Sequence, residues 1–241
     1  MGTVVSFDVR GDDADGLRRG LQDACALLHR ADEVFSTWKP DSPMNRLRRN
    51  EISLAEAPPE VTEVLERCRR ARRLSAGWFD PWALPGGVDP TGLVKGWAAQ
   101  RAALALERTG TTAAMVNAGG DVAVLGRPAP GRPWRIGIRD PRHPERMVAV
   151  AALTDGFAAL ATSGTYERGN HVLDPFTGEP AATLLSASVV GADLADADAL
   201  ATGLLAAGTD GLAVVAGLEG YEALVVETDL SLKATEGFPL G

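Results

Sequence analysis

The spacing of apolar residues changes several times along the chain, and each change marks an element. Residues 3–9 alternate between polar and apolar, which predicts a strand. Leu17, Leu21, Cys25, Leu28 and Phe35 then fall on one helical stripe, which predicts a long amphipathic helix. Residues 36–45 are rich in Ser, Pro and Asp and read as an irregular loop. Val61, Leu65, Cys68 and Arg72 mark a second helix that begins after Pro58 and Pro59 and stops near Gly77. Prolines and paired glycines punctuate residues 78–92, and an alanine-rich helix follows over 93–108. Apolar runs at 113–116, 122–125, 134–138, 147–153 and 157–162 are separated by Gly, Pro and Asp turns and predict strands. Two more strands, 184–190 and 223–227, flank a helical stretch over 193–207. Strands grouped in this way predict an α+β fold with a mixed, mostly antiparallel sheet core and flanking helices. No internal repeat or linker interrupts residues 1–241, which are read as one domain.

Composition narrows the function classes. With 241 residues, 45% hydrophobic and 23% charged, the chain has the make-up of a folded globular protein. Its formal charge of -8 disfavours a general binder of nucleic acid or acidic membranes. The one basic run, Arg67, Arg69, Arg70, Arg72 and Arg73, lies on a predicted helix and reads as a solvated face. The two cysteines, Cys25 and Cys68, sit on apolar stripes, so buried free thiols in a reducing compartment are expected rather than a disulfide. No charged segment followed by an apolar run opens the chain, and no apolar run reaches membrane-spanning length. A cytoplasmic location is expected.

The chemistry-bearing residues are ambiguous one by one. Neither GxxxxGK[ST] nor GxGxxG occurs, so any nucleotide must be held in another way. Gly92-Leu93-Val94-Lys95-Gly96 opens a predicted helix and offers backbone N–H groups and a lysine to an anion; a glycine-punctuated helix start with a surface lysine would look the same. Asp198 and Thr202 stand one helical turn apart, so their oxygens can share a hard cation, although a mid-helix threonine also bonds back to the preceding turn. Of His29, His143 and His171, only His171 lies between strands and a turn, where it could act as a general base. Asp174-Pro175 and Thr177-Gly178 read first as turn formers.

Taken in order, these segments resemble the ApbE family of FAD:protein FMN transferases over nearly the whole chain. Met1-Gly2-Thr3 resembles the family's opening, and Phe35-Ser36-Thr37-Trp38 with Pro40-Asp41-Ser42 resembles its F-S-T-[YW]-x-P-x-S loop. Gly77-Trp78-Phe79-Asp80-Pro81 is similar to G-x-F-D-P, the stretch Asp89 to Gly96 to D-x-x-G-x-x-K-G, and Val116 to Asp121 to V-N-x-G-G-D. Trp134 to Ile138 with Asp140-Pro141 resembles W-x-[IV]-G-I-x-D-P. Ala161 to Gly164 with Tyr166-Glu167 resembles A-T-S-G-x-Y-[ER]; His171, Asp174-Pro175 and Thr177-Gly178 resemble H-x-x-D-P-x-T-G, and Asp198 to Thr202 resembles D-A-x-x-T. Three departures stand out. The crossing from Trp82 to Val88 is short, so part of the usual subdomain is missing; Pro90-Thr91 replaces the usual pair; and only Gly169-Asn170 separates Arg168 from His171.

The resemblance implies an ApbE-like, T-fold-related architecture and a Mg²⁺-dependent transfer of FMN from FAD to a Thr or Ser hydroxyl of an acceptor protein. It implies a cation, Mg²⁺ with Mn²⁺ or Ca²⁺ as alternatives, on Asp198, Thr202 and the backbone oxygen of Gly92. FAD would be drawn against Met1, Ser36, Thr37, Trp38, Asp80 and Lys95, against Asn117, Ala118, Gly119, Gly120 and Asp121, and against Ile136, Gly137, Ile138, Thr162, Ser163 and Gly164. Within that set Trp38 would stack on the isoalloxazine, Lys95 would lie near the pyrophosphate, and the Asn117 loop and Trp134 strand near the adenosine. His171 would be the catalytic base. A cation-dependent FAD pyrophosphatase and a non-catalytic FAD-binding protein are the alternatives.

Overall fold

A computed structural model describes residues 3–83, 86–154, 156–165 and 172–241. The chain opens with β1 (Val5–Arg10) and α1 (Ala14–Phe35), whose first turn is capped by the Asp13 carboxylate accepting from the N–H groups of Asp15 and Gly16. α1 buries Gly16, Gly20, Ala24, Leu28, Ala31, Val34 and Phe35, whereas Cys25 is exposed. The expected stripe through Cys25 is therefore corrected. Small residues turn inward because α1 runs close to the end of the fourth helix: a Cβ at Gly20 would stand 2.3 Å from Thr109 Oγ1.

Three further helices follow. α2 (Pro43–Arg48) begins inside the expected loop, because Ser42 caps it through the N–H of Asn45. α3 (Pro59–Leu74) buries Val61, Leu65 and Cys68 as its spacing predicts, and α4 (Thr91–Glu107) lies almost wholly in the core. The arginines of α3 are not simply solvated. Arg67 Nη2 lies 2.7 Å from Asp193 Oδ1 and 3.5 Å from Asp196 Oδ1, and Arg70 Nη1 lies 3.0 Å from Asp196 Oδ2. Burial works against the Arg67 charge, but the hydrogen bond to Asp193 and the charges of Asp193 and Asp196 outweigh it and raise its pKa. Asp196 is fully buried and also accepts from the Tyr221 hydroxyl at 3.1 Å, so this network pins α3 to the elements that follow.

The sheet is built from β2 (Ala113–Ala118), β3 (Asp121–Gly126), β6 (Ala159–Gly164), β7 (Leu184–Gly191), β8 (Glu222–Glu227) and β9 (Leu232–Ala234) together with β1. Its order is β1-β2-β3-β6-β7-β8-β9, and every neighbouring pair is antiparallel. Between β3 and β6 the chain leaves the sheet and forms a separate hairpin, β4 (Trp134–Arg139) and β5 (Met147–Leu153). α5 (Leu194–Ala207) and the short α6 (Leu212–Ala216) lie between β7 and β8.

Alternation along the strands makes three layers. On β8, Ala223 and Val225 face the helices α1, α3, α4 and α5, while Leu224 and Val226 face a second core closed by Trp134, Ile136 and Ile138 of the hairpin. The chain is thus α+β with a mostly antiparallel sheet and flanking helices. Among the described residues no helix is long and apolar enough to cross a membrane.

Candidate active site

A cavity of about 600 Å³ opens where α4 and α5 meet the end of β6 and the loops around Trp38 and Asp80. Its location follows from the parting of two strands. β3 and β6 pair only through Val122–Leu160 and Ala123–Ala159, after which β6 runs on to Gly164 with β7 as its one strand neighbour. At the parting a carboxylate replaces a backbone partner: Asp121 Oδ1 accepts the Thr162 N–H at 3.0 Å. Asp121 is fully buried, and Lys95 Nζ of α4 stands 2.9 Å from its Oδ2 and balances the charge. Asp121 therefore sets both Lys95 and the strand that lines the cavity with it.

The opposite wall is α5. Asp198 and Thr202 both face the cavity, as their spacing of one turn predicts. α4 and α5 approach so closely that a Cβ on Gly96 would lie 2.4 Å from the Leu194 carbonyl oxygen. That contact lets the Gly96 N–H donate to Asp198 Oδ2 at 2.9 Å. Thr202 Oγ1 lies 3.1 Å from Ser163 Oγ, and a Cβ on Gly92 would stand 3.1 Å from the same Thr202 oxygen. No side chain therefore separates the start of α4 from the Thr202 hydroxyl.

The mouth is shaped by two ordered loops. Ser42 Oγ donates to the Ser36 carbonyl at 2.7 Å, and Asn45 Nδ2 donates to the carbonyls of Thr37 at 3.0 Å and Lys39 at 2.8 Å. These bonds hold the turn that leaves Trp38 85% exposed beside the cavity. Asp80 receives Arg72 Nε at 2.7 Å on one oxygen and the Trp82 N–H at 2.9 Å on the other, and Asp89 Oδ1 accepts the Thr91 N–H at 3.0 Å just ahead of α4.

Of the residues singled out from the sequence, Ser36, Thr37, Trp38, Asp80, Gly92, Lys95, Thr162, Ser163, Gly164, Asp198 and Thr202 line this cavity, with Asp121 behind Lys95. Asn117 and Ala118 at the end of β2 and the Gly119-Gly120 turn into β3 lie outside it; Gly119 and Gly120 both have positive φ, and Asn117 Oδ1 accepts the Gly120 N–H at 2.8 Å. Ile136 and Ile138 do not reach the cavity either, because they fill the second core, and Gly137 lies against Met147. Met1 and His171 fall outside the described residues. Sequence reasoning named no role for Asn45 or Ser75. The latter takes the Phe79 N–H on its Oγ at 2.9 Å and so shapes the Asp80 loop, and neither carries a signal that distinguishes it from an ordinary helix-end polar residue.

The comparisons with known proteins bear on this geometry. The sequence model of the ApbE family matches residues 1–86 and 82–225. The chain belongs to the ApbE family. The two matched stretches of this ApbE chain meet at the short crossing beyond Asp80-Pro81. A Vibrio cholerae protein named FAD:protein FMN transferase is 34% identical over 156 residues, covering 61% of this chain and 46% of that protein. A Rhodobacter capsulatus protein of the same name is 37% identical over 150 residues, covering 59% of this chain and 28% of that protein. The chain thus spans less than half the length of these curated relatives. In three dimensions it resembles the flavin transferase ApbE from Vibrio cholerae, with a TM-score of 0.79 at 24% identity over 97% of this chain and 93% of that one. The ApbE protein of Thermotoga maritima gives a TM-score of 0.83, also at 24% identity, over 98% and 94%. These likenesses establish the shared fold.

Proposed function

We propose that this ApbE chain transfers FMN from FAD to a Thr or Ser hydroxyl of an acceptor protein. The hydroxyl oxygen attacks the FMN-side phosphorus, the bond to the AMP phosphate breaks, and AMP leaves with that electron pair while the hydroxyl proton passes to a base. Such transfers depend on positioning and on neutralising phosphate charge. The observation that carries this reading is the convergence in one cavity of the Asp198–Thr202 pair and Lys95, with the exposed Trp38 ring at the mouth. Family membership and the names of the sequence relatives support it.

Each part has a task. Lys95, held by Asp121, brings positive charge to the pyrophosphate, and Trp38 offers its face to the isoalloxazine. Asp198, Thr202 and the Gly92 carbonyl form a hard-oxygen set that fits Mg²⁺, Mn²⁺ or Ca²⁺. Among the described residues no group of three or more His, Cys, Asp or Glu suits a metal, so a cation here would complete its shell with water and phosphate oxygens. The cation, when bound, supplies neutralisation of the phosphate charge. The proton is assigned to His171 on the sequence motif.

Mass spectrometry of candidate acceptors incubated with the chain, FAD and Mg²⁺ tests the reading. A mass gain of FMN less water on one Thr or Ser is expected. Free FMN and AMP with no adduct would make the chain an FAD pyrophosphatase, and intact FAD would make it a binding protein.

A further inference from the structure

The rim of the cavity carries a patch that the chemistry inside does not use. On α3, Arg67 and Arg70 are engaged by Asp193 and Asp196, and Arg72 by Asp80. Arg69 and Arg73, one turn apart on the same face, are exposed and make no ion pair among the described residues. Glu66, exposed a turn earlier, pairs with neither. The Arg69 guanidinium stands 5.7 Å from the centre of the Trp82 ring, which keeps 39% of its surface exposed. Trp82 is fixed relative to the mouth, because it follows the cavity-lining Pro81 and its N–H is held by Asp80. Farther round the mouth, Phe176 is 66% exposed and packs edge-on against Trp78 at 4.8 Å.

Exposed rings flanked by arginines beside a cavity are the composition of a surface that meets another protein. Arg69 and Arg73 also place two positive charges one turn apart on a chain of net charge -8. We propose that Trp82, Arg69 and Arg73 form the surface on which the acceptor protein docks, with an apolar side chain laid on Trp82 and carboxylates facing the two arginines. The inference rests on the transferase reading, since a macromolecular hydroxyl needs a footing outside the cavity and water does not. Docking there places the acceptor chain at the mouth through contacts that FAD never touches.

The test uses two fluorescein-labelled peptides with the same central Ala-Thr and Leu, one flanked by Asp and Glu and the other by Lys and Arg. Anisotropy with the FAD-loaded chain reads docking, and the FMN adduct reads transfer. The acidic peptide should bind about tenfold more tightly than the basic one, and about 0.5 M salt should erode the difference. Trp82→Ala and the double variant Arg69→Gln with Arg73→Gln should each raise KM for the acidic peptide about tenfold, with kcat at saturation and FAD affinity unchanged. Equal binding of the two peptides, or an unchanged KM in both variants, overturns the docking surface. So does a wild-type dimer in sedimentation that Trp82→Ala dissociates, because a second copy then owns this face. Selective binding of the acidic peptide with no adduct on either peptide would sink the transferase reading and leave the docking surface standing; adducts formed without regard to the flanks would do the reverse.

Discussion

Gly96→Ala sets two effects of opposite sign against each other. Alanine is favoured over glycine in a helix by about 1 kcal/mol, so α4 taken alone gains from the change. In the folded chain the new Cβ would lie 2.4 Å from the Leu194 carbonyl oxygen and 2.9 Å from Asp198 Cβ, atoms with no rotamer through which to yield. α5 must back away. Overpacking of this kind costs about 1–3 kcal/mol. The retreat also stretches the 2.9 Å bond from the Gly96 N–H to Asp198, and a hydrogen bond to a charged group contributes about 1.5–3 kcal/mol. The losses outweigh the helix gain and leave a net destabilisation of about 2–4 kcal/mol. For a chain of 241 residues that lowers Tm by roughly 5–15 °C. Thermal unfolding followed by circular dichroism measures it, and a parallel Mg²⁺ titration of FAD turnover should shift to higher cation concentration as Asp198 moves. A variant as stable as the wild type, or more stable, would refute the close approach of the two helices, because helix propensity alone would then decide the outcome.

Other perturbations separate binding from chemistry. Asp198→Ala should abolish cation-dependent turnover, because Thr202 cannot hold a hard cation without a carboxylate; near-normal activity at modest Mg²⁺ would move the cation elsewhere. Trp38→Ala should lower FAD affinity by about 10- to 100-fold, from ring stacking worth about 1–3 kcal/mol, with little change in kcat at saturation. Tryptophan quenching titrations by FAD measure the affinity, and an unaltered Kd removes Trp38 from the site. His171→Ala should leave FAD binding intact and slow transfer by about 10²- to 10⁴-fold, with His29→Ala and His143→Ala as controls; an equal loss in His143→Ala would show that His171 is not the base. In the native protein a thiol reagent at pH 8 should label Cys25 alone, because burial, with the charge of Asp89 adding to it, pushes the Cys68 thiol up to about 12. A second fast thiol would contradict the packing of α3.

The elements were legible because their periods are clean, and the site was legible where residues sit in ordered motifs. Asp198 and Thr202 need only one helical turn to share a face, and the described cavity contains both. Other features were hidden for physical reasons. The inward side of the first half of α1 is made of Gly16, Gly20 and Ala24, since proximity to α4 demands small side chains, and a search for large apolar residues selects Cys25 instead. The strand runs of β4 and β5 resemble those of the main sheet, and nothing local reveals that β3 pairs with β6 across them. For the same reason Ile136 and Ile138 could be placed on a strand from their alternation, while their burial in a separate core, away from the cavity, depends on tertiary order. The pairing of Arg67 and Arg70 with Asp193 and Asp196 joins residues more than a hundred positions apart, so a local charge pattern sees only the arginines. β9 was missed because its three residues, Leu232, Lys233 and Ala234, are all exposed and too few to set a period.

The pairing of β1 with β2 has a kinetic consequence. Val5 lies opposite Ala118, so the first strand finds its partner only after four helices and the rim loops have been traversed. Closing so long a loop costs chain entropy before any contact repays it, and proteins dominated by such non-local pairs fold slowly. The bond from Gly96 to Asp198 spans 102 positions, so the cavity comes together late by the same measure. During synthesis the segment up to α4 must wait with its apolar faces uncovered until β2 emerges, and a fragment that stops short of Ala113 leaves β1 with no neighbour to hydrogen-bond. Such a fragment should be captured by chaperones or aggregate rather than accumulate as a folded half.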